Sequence, residues 1–142
     1  MVEIELPILV ASESNQSRYE HWGSKVRRFN YQKRIILQVC RQLVSPLKPD
    51  QTAVITLTRI AFGKLDRGNI EGAFKAVQDV IASKRFPSLL QVDDADPRLE
   101  WIYDQEKPII NNPTGKFSKE FVNKPGLLAD GTGLRIKIEV NP

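Results

Sequence analysis

The residues best suited to chemistry lie between Leu65 and Tyr103. Asp66 and Asn69 precede an amphipathic stretch, Lys75 and Asp79 ride on it, and Asp93, Asp94 and Asp96 follow it. Carboxylates before and after one helix can meet at one of its ends. Held together, they repel unless a hard cation sits between them. A donor set made only of oxygens selects Mg²⁺, Mn²⁺ or Ca²⁺ over zinc. In a chain of net charge +4, such a site points to chemistry on phosphodiesters.

Each piece also has an ordinary reading. Glu71, Lys75 and Asp79 stand at i, i+4 and i+8, which could be a surface ladder worth about 0.2–0.5 kcal/mol per pair. Asn69 could cap the helix, and Asp66 could complement its N-terminal dipole. Asp93, Asp94 and Asp96 could be an acidic turn ahead of Pro97. Three separate explanations along one path are less economical than one shared site.

The elements that must position these residues follow from periodicity. Val2 to Val10 reads as a first strand, with Pro7 marking an edge or bend. A helix is expected from about Ser24 to Val44, stopped by Ser45-Pro46. Thr52 to Ile60 is rich in β-branched residues and reads as a strand. Asn69 to about Ser83 reads as a second helix, with Ile70, Phe74, Val77 and Ile81 on its buried face. Arg98 to Asp104 alternates, placing Leu99, Trp101 and Tyr103 on one side. Lys107 to Gly133 is basic, rich in proline and glycine, and reads as a long functional or disordered loop. Leu134 to Val140 alternates as a last strand. The order β-α-β-α-β-β predicts one α+β domain over residues 1–142, two main helices on a small mixed sheet.

The first helix is basic. Lys25, Arg27, Arg28, Lys33, Arg34 and Arg41 lie on it, and no acid occurs from Ser24 to Ser45. Arg27, Arg34 and Arg41 are seven residues apart and form one stripe that drifts only ~20° per heptad. Phe29, Ile36 and Leu43 repeat two positions later, roughly 200° around the helix. One face is therefore expected to pack while the other presents guanidinium groups, either to water or to phosphates.

Several classes lose support. His21, the only histidine, has no ligating partners, and there is no acyl-transfer, Walker A or dinucleotide-binding motif. Cys40 is the only cysteine, so no intramolecular disulfide forms, and it reads as a core thiol. No apolar run approaches the ~20 residues of a membrane span, and the N-terminus carries acids where a signal peptide carries bases. A soluble, cytoplasmic protein with no membrane partner is expected.

A set of short motifs then carries a resemblance. Asn15 precedes His21-Trp22 and Arg27-Arg28. Leu65-Asp66 and Asn69 follow, then Lys75-Ala76-Val77 with Asp79. Val92-Asp93-Asp94 leads to Asp96-Pro97-Arg98, Trp101 and Tyr103, and the chain ends on the strand from Arg135. In order and spacing this resembles the RusA family of Holliday junction resolvases, over most of the chain except the Lys107 to Gly133 loop. The resemblance implies a homodimeric, Mg²⁺-dependent endonuclease that cuts four-way DNA junctions in recombination and repair, with Mn²⁺ as a substitute. It implies Asp66 and Asp94 as metal ligands with Asp93 close behind, and Lys75 at the scissile phosphate. Asn69, Glu71 and Asp79 would support them. Arg27, Arg28, Arg34 and Arg41, with Lys116 and Lys119 of the loop, would meet DNA, and Phe117 and Phe121 could meet a junction's unstacked bases.

Arg67 and Gly68 stand where such a family carries further carboxylates. A catalytically silent junction-binding protein is therefore the competing expectation. A third is an interaction protein whose acidic turn is purely structural.

Overall fold

The computed structural model describes residues 1–10, 22–85, 87–108, 126–128 and 130–142. The elements are β1 (Val2–Leu6), α1 (Trp22–Cys40), β2 (Thr52–Ile60), α2 (Arg67–Ala73), α3 (Lys75–Ile81), β3 (Leu99–Glu106) and β4 (Gly133–Asn141). The four strands form one mixed sheet in the order β1-β4-β2-β3. The α+β class read from the sequence is the class observed.

β4 runs antiparallel to both neighbours, whereas β2 and β3 are parallel. Parallel strands need a long crossover, and α2 and α3 supply it. Alternation decides which residues face the helices. Ala53, Ile55 and Leu57 on β2 align with Leu99, Trp101 and Tyr103 on β3 and with Val140, Ile138 and Ile136 on β4. Together with Leu6, Ile36, Phe74, Val77, Ile81 and Leu134, the buried members of this set form the core. The opposite face carries Glu3, Glu100, Arg135, Lys137 and Glu139, and its ion pairs include Arg135 with Glu3 and Glu106 and Lys137 with Glu139. Gly133 opens β4 so close to β1 that a Cβ there would lie 2.5 Å from the Leu6 carbonyl oxygen.

Four expectations are corrected. β1 ends at Leu6, where Pro7 interrupts the ladder, although Ile8 and Val10 still reach the core. α1 ends at Cys40, so Leu43 falls in the following turn and is exposed; the buried face is Gln32, Ile36 and Cys40. The second helix is two helices joined at Phe74, whose backbone leaves the helical well at φ −91°, ψ 4°. Gly68 and Gly72 weaken the first half. At the joint the Phe74 N–H is shared between the Ile70 and Glu71 carbonyls, and the hydrogen-bonded path resumes from Phe74 C=O to Gln78 N–H. Asn69 is not the cap: Asp66 holds that position, and its backbone carbonyl accepts from the Asn69 and Ile70 amides. Ile70, Phe74, Val77 and Ile81 are nevertheless all buried, as their spacing required.

Candidate active site

Lys75 is the first residue of α3, and its ammonium is the hub of one charged neighbourhood. It lies 3.4 Å from Asp79 Oδ1, one turn on, and 4.0 Å from Asp94 Oδ2 across the fold. Gln78 Nε2 donates to the same Asp94 oxygen at 3.5 Å. The Asp94 turn is fastened by its neighbours. Trp101 Nε1 donates to the Asp94 carbonyl, and the Ala95 amide donates to Asp93 Oδ1. Asp96 is taken by Arg98, whose Nε and Nη2 bind its two oxygens at 3.2 and 3.0 Å. Of the acidic turn, therefore, Asp93 and Asp94 remain for a ligand.

Two adjacent carboxyls resist ionising together. Sharing a hydrogen bond with Asp93 pushes the Asp94 carboxyl up, and partial burial adds to this against the pull of Lys75. Asp93 is held down, first by the Ala95 amide and then by its bond with Asp94. Such a pair gains from a cation that neutralises both.

Tyr103 links this neighbourhood to a second one. Its hydroxyl donates to Gln78 Oε1 at 3.3 Å, and its ring stacks on Phe74 with centroids 5.8 Å apart. Burial pushes the phenol up, and the charges of Glu71 and Asp94 add to that. On the other side Tyr103 lines a cavity of about 550 Å³ with Lys64, Asp66, Arg67, Asp104 and Gln105. The loop that carries Asp66 is fixed from below. Gln105 accepts from the Leu65 amide at 2.7 Å and donates to the Leu65 carbonyl at 2.9 Å. Arg59, buried on β2, donates to the carbonyls of Val10 and Gly63.

The expected residues thus divide. Lys75, Asp79, Asp93 and Asp94 gather. Asp66 faces the cavity, Glu71 bears on Tyr103, and Asn69 is the third residue of α2. Among the described residues no three histidine, cysteine or carboxylate side chains are grouped to hold one metal ion. Asp66, Asp93 and Asp94 therefore do not form one three-carboxylate set. The Asp93-Asp94 pair still fits a hard cation, because Mg²⁺ commonly takes one or two carboxylates and completes its shell with water and substrate phosphate.

Arg27 and Arg34 on α1, and Arg41 in the turn that follows it, are exposed, and Arg28 is half-buried; Lys25 and Arg28 lie over the Phe29 ring. α1 packs against α3. Lys116, Lys119, Phe117, Phe121, Asn15 and His21 lie outside the described residues.

Sequence reasoning did not single out Gln78, Lys64, Asp104 or Gln105 as site residues. Gln78 had a signal in its place between Lys75 and Asp79. Asp104 and Gln105 had only their position at the end of a strand. No protein-family model, curated protein or solved structure matches the chain. Among the described residues, no helix is long and apolar enough to cross a membrane.

Proposed function

We propose that the chain is a divalent-metal-dependent endonuclease acting on branched DNA, in keeping with the RusA resemblance, and that it works as a cytoplasmic homodimer. The observation that carries this reading is the convergence of Lys75 and Asp94, residues 19 positions apart in the sequence, with Asp79 and Asp93 beside them. Asp93 and Asp94 would hold the Mg²⁺. The ion supplies an activated water and charge neutralisation at the phosphate.

The chain's own residues do the rest. Lys75 is more than half exposed, so its ammonium can exchange a carboxylate partner for a phosphate oxygen at little cost. Asp79 holds it within reach. Trp101 and the Ala95 amide fix the acidic turn before any ligand arrives, which limits reorganisation on binding. Arg27, Arg34 and Arg41 would take phosphates of an adjoining arm and orient the junction. Two copies related by a twofold axis would present paired sites for symmetric nicks.

A second reading has its own observation. Arg67 opens α2 beside Asp66, and the Lys75 ammonium already serves as counter-charge to Asp79 and Asp94. A protein that binds junctions without cutting them would carry these features.

Cleavage of a labelled four-way junction in Mg²⁺ and in Mn²⁺, beside linear duplex, separates the two. Junction-selective nicking lost in Asp94→Asn supports the nuclease. Salt-sensitive junction binding with no cleavage in either metal supports the silent binder. No binding and no cleavage leaves an interaction protein with a structural acidic turn.

A further inference from the structure

We infer that the cavity beside Asp66 receives one unstacked nucleotide, with the amino edge of its base on Asp66 and its phosphates on Lys64 and Arg67. This rests on the reading of the chain as a DNA-acting protein, and it assigns Asp66 a task apart from the Asp93-Asp94 pair.

The cavity's size comes first. About 550 Å³ gives room for one small molecule in an open cleft. Its lining carries both signs of charge. The side chains of Lys64, Asp66 and Arg67 make no ion pair or hydrogen bond among the described residues, whereas Asp104 stands in register with Thr58 and Arg135, on the sheet face away from Tyr103. A bare anion would be opposed by Asp66, and a bare cation by Lys64 and Arg67. A ligand with an anionic end and a hydrogen-bond donor end satisfies all three. Adenine, cytosine and guanine nucleotides have that form through phosphate and exocyclic amino group. Thymine presents a carbonyl oxygen instead, which sets acceptor against carboxylate.

The walls suit a flat ring. Ile70 and the Tyr103 side chain supply apolar surface, and Tyr103 is held rigid by Phe74 and Gln78. The floor is preorganised, because the Gln105 amide pins Leu65 through both of its main-chain groups. A base inside a duplex cannot present itself to such a pocket without leaving the stack. A branch point lowers that cost, because stacking is interrupted where its arms meet.

The test is an NMR titration of the metal-free, isotope-labelled protein with dAMP, dCMP and TMP, followed by titration with a four-way junction. We expect dAMP and dCMP to shift the amides of residues 64–67 and 103–105, with TMP binding about fivefold more weakly. Asp66→Asn keeps the backbone cap of α2 and adds a side-chain donor, so it should bring TMP level with dCMP. Equal binding of TMP and dCMP by the unaltered protein, or shifts confined to α1, overturns the inference. A junction that binds while no mononucleotide touches the cavity overturns this inference alone. If nucleotides fill the cavity and the junction does not bind, the branched-DNA reading falls and the pocket stands. If neither binds, both fall.

Discussion

Phe74 is the residue on which the two halves of the site turn, and its replacement gives the sharpest test of the architecture. The side chain is fully buried, at the joint between α2 and α3, and it stacks on Tyr103 at 5.8 Å with an interplanar angle of 18°. Phe74→Ala empties a closed position, for which about 3–5 kcal/mol is expected. A domain of this size has roughly 5–15 kcal/mol in all, so the variant should be folded but visibly marginal. Phe74→Leu keeps most of the apolar volume and loses the ring pair, and should cost about 1–2.5 kcal/mol. Urea unfolding followed by circular dichroism measures both, with the slope checked for constancy. The ring contribution is isolated by a double-mutant cycle with Tyr103→Leu, in which the lost Tyr103–Gln78 hydrogen bond cancels. A coupling of about 0.5–1.5 kcal/mol is expected. A coupling under about 0.3 kcal/mol would refute the stacked geometry and with it the rigid wall shared by cavity and acid pair.

Four further outcomes are expected. Lys75→Met removes the ammonium that pulls Asp94 down, so the Asp94 carboxyl should titrate at higher pH, as followed by carboxyl-carbon NMR; no movement would separate Lys75 from Asp94. Asp96 is held below the usual carboxylate range by the Arg98 hydrogen bonds, so its contribution to stability is present above the ordinary Asp value near 3.9 and is lost as pH falls through the depressed one. Acid unfolding of Asp96→Asn should accordingly show less loss of stability below pH ~4 than the unaltered protein does. Arg34→Ala and Arg41→Ala should each weaken junction binding for all sequences and lower the salt slope by about one, read by anisotropy at several salt concentrations. Arg59→Met strips charge-assisted donors from the Val10 and Gly63 carbonyls and should cost roughly 1.5–3 kcal/mol per lost bond in thermal or urea unfolding.

Much of the fold was legible because its signals are local. The β-branched run of β2 is a strand over the very residues expected, Thr52–Ile60, and the alternation of Leu99, Trp101 and Tyr103 places them on the helix-facing side. The i, i+4, i+7, i+11 spacing from Ile70 found the buried face of the crossover even though it missed the joint. That spacing reports only which residues are covered. A one-residue departure at Phe74 leaves the burial intact and redirects the exposed side. The basic stripe was legible in part: Arg27 and Arg34 are exposed on α1, while Arg41 falls with Leu43 in the turn after Cys40. The end of α1 was not, because Leu43 extends the pattern into a turn that tertiary context leaves exposed.

The charged site shows why its composition was readable and its partition was not. In a continuous helix, Glu71, Lys75 and Asp79 form one line, and Asp66 and Asp94 can be imagined at its two flanks. The joint at Phe74 interrupts that line between Glu71 and Lys75. Lys75 then pairs forward, with Asp79 and Asp94, while the charge of Glu71 falls on Tyr103. Asp66 caps the first short helix through its backbone and leaves its carboxylate to the cavity. Residue types and spacing therefore indicated carboxylates around a lysine, but the division of labour depends on one backbone conformation, at the buried Phe74. Two binding neighbourhoods sharing a tyrosine wall can be coupled without any large motion. A nucleotide that presses on Tyr103 from the cavity bears on Gln78 through the phenol hydroxyl, and Gln78 is one of the donors to Asp94. Occupancy of the cavity is thereby expected to be felt at the acid pair. Seen as a shift in the Asp94 titration on adding dCMP, that coupling would tie the cavity and the acid pair into one site.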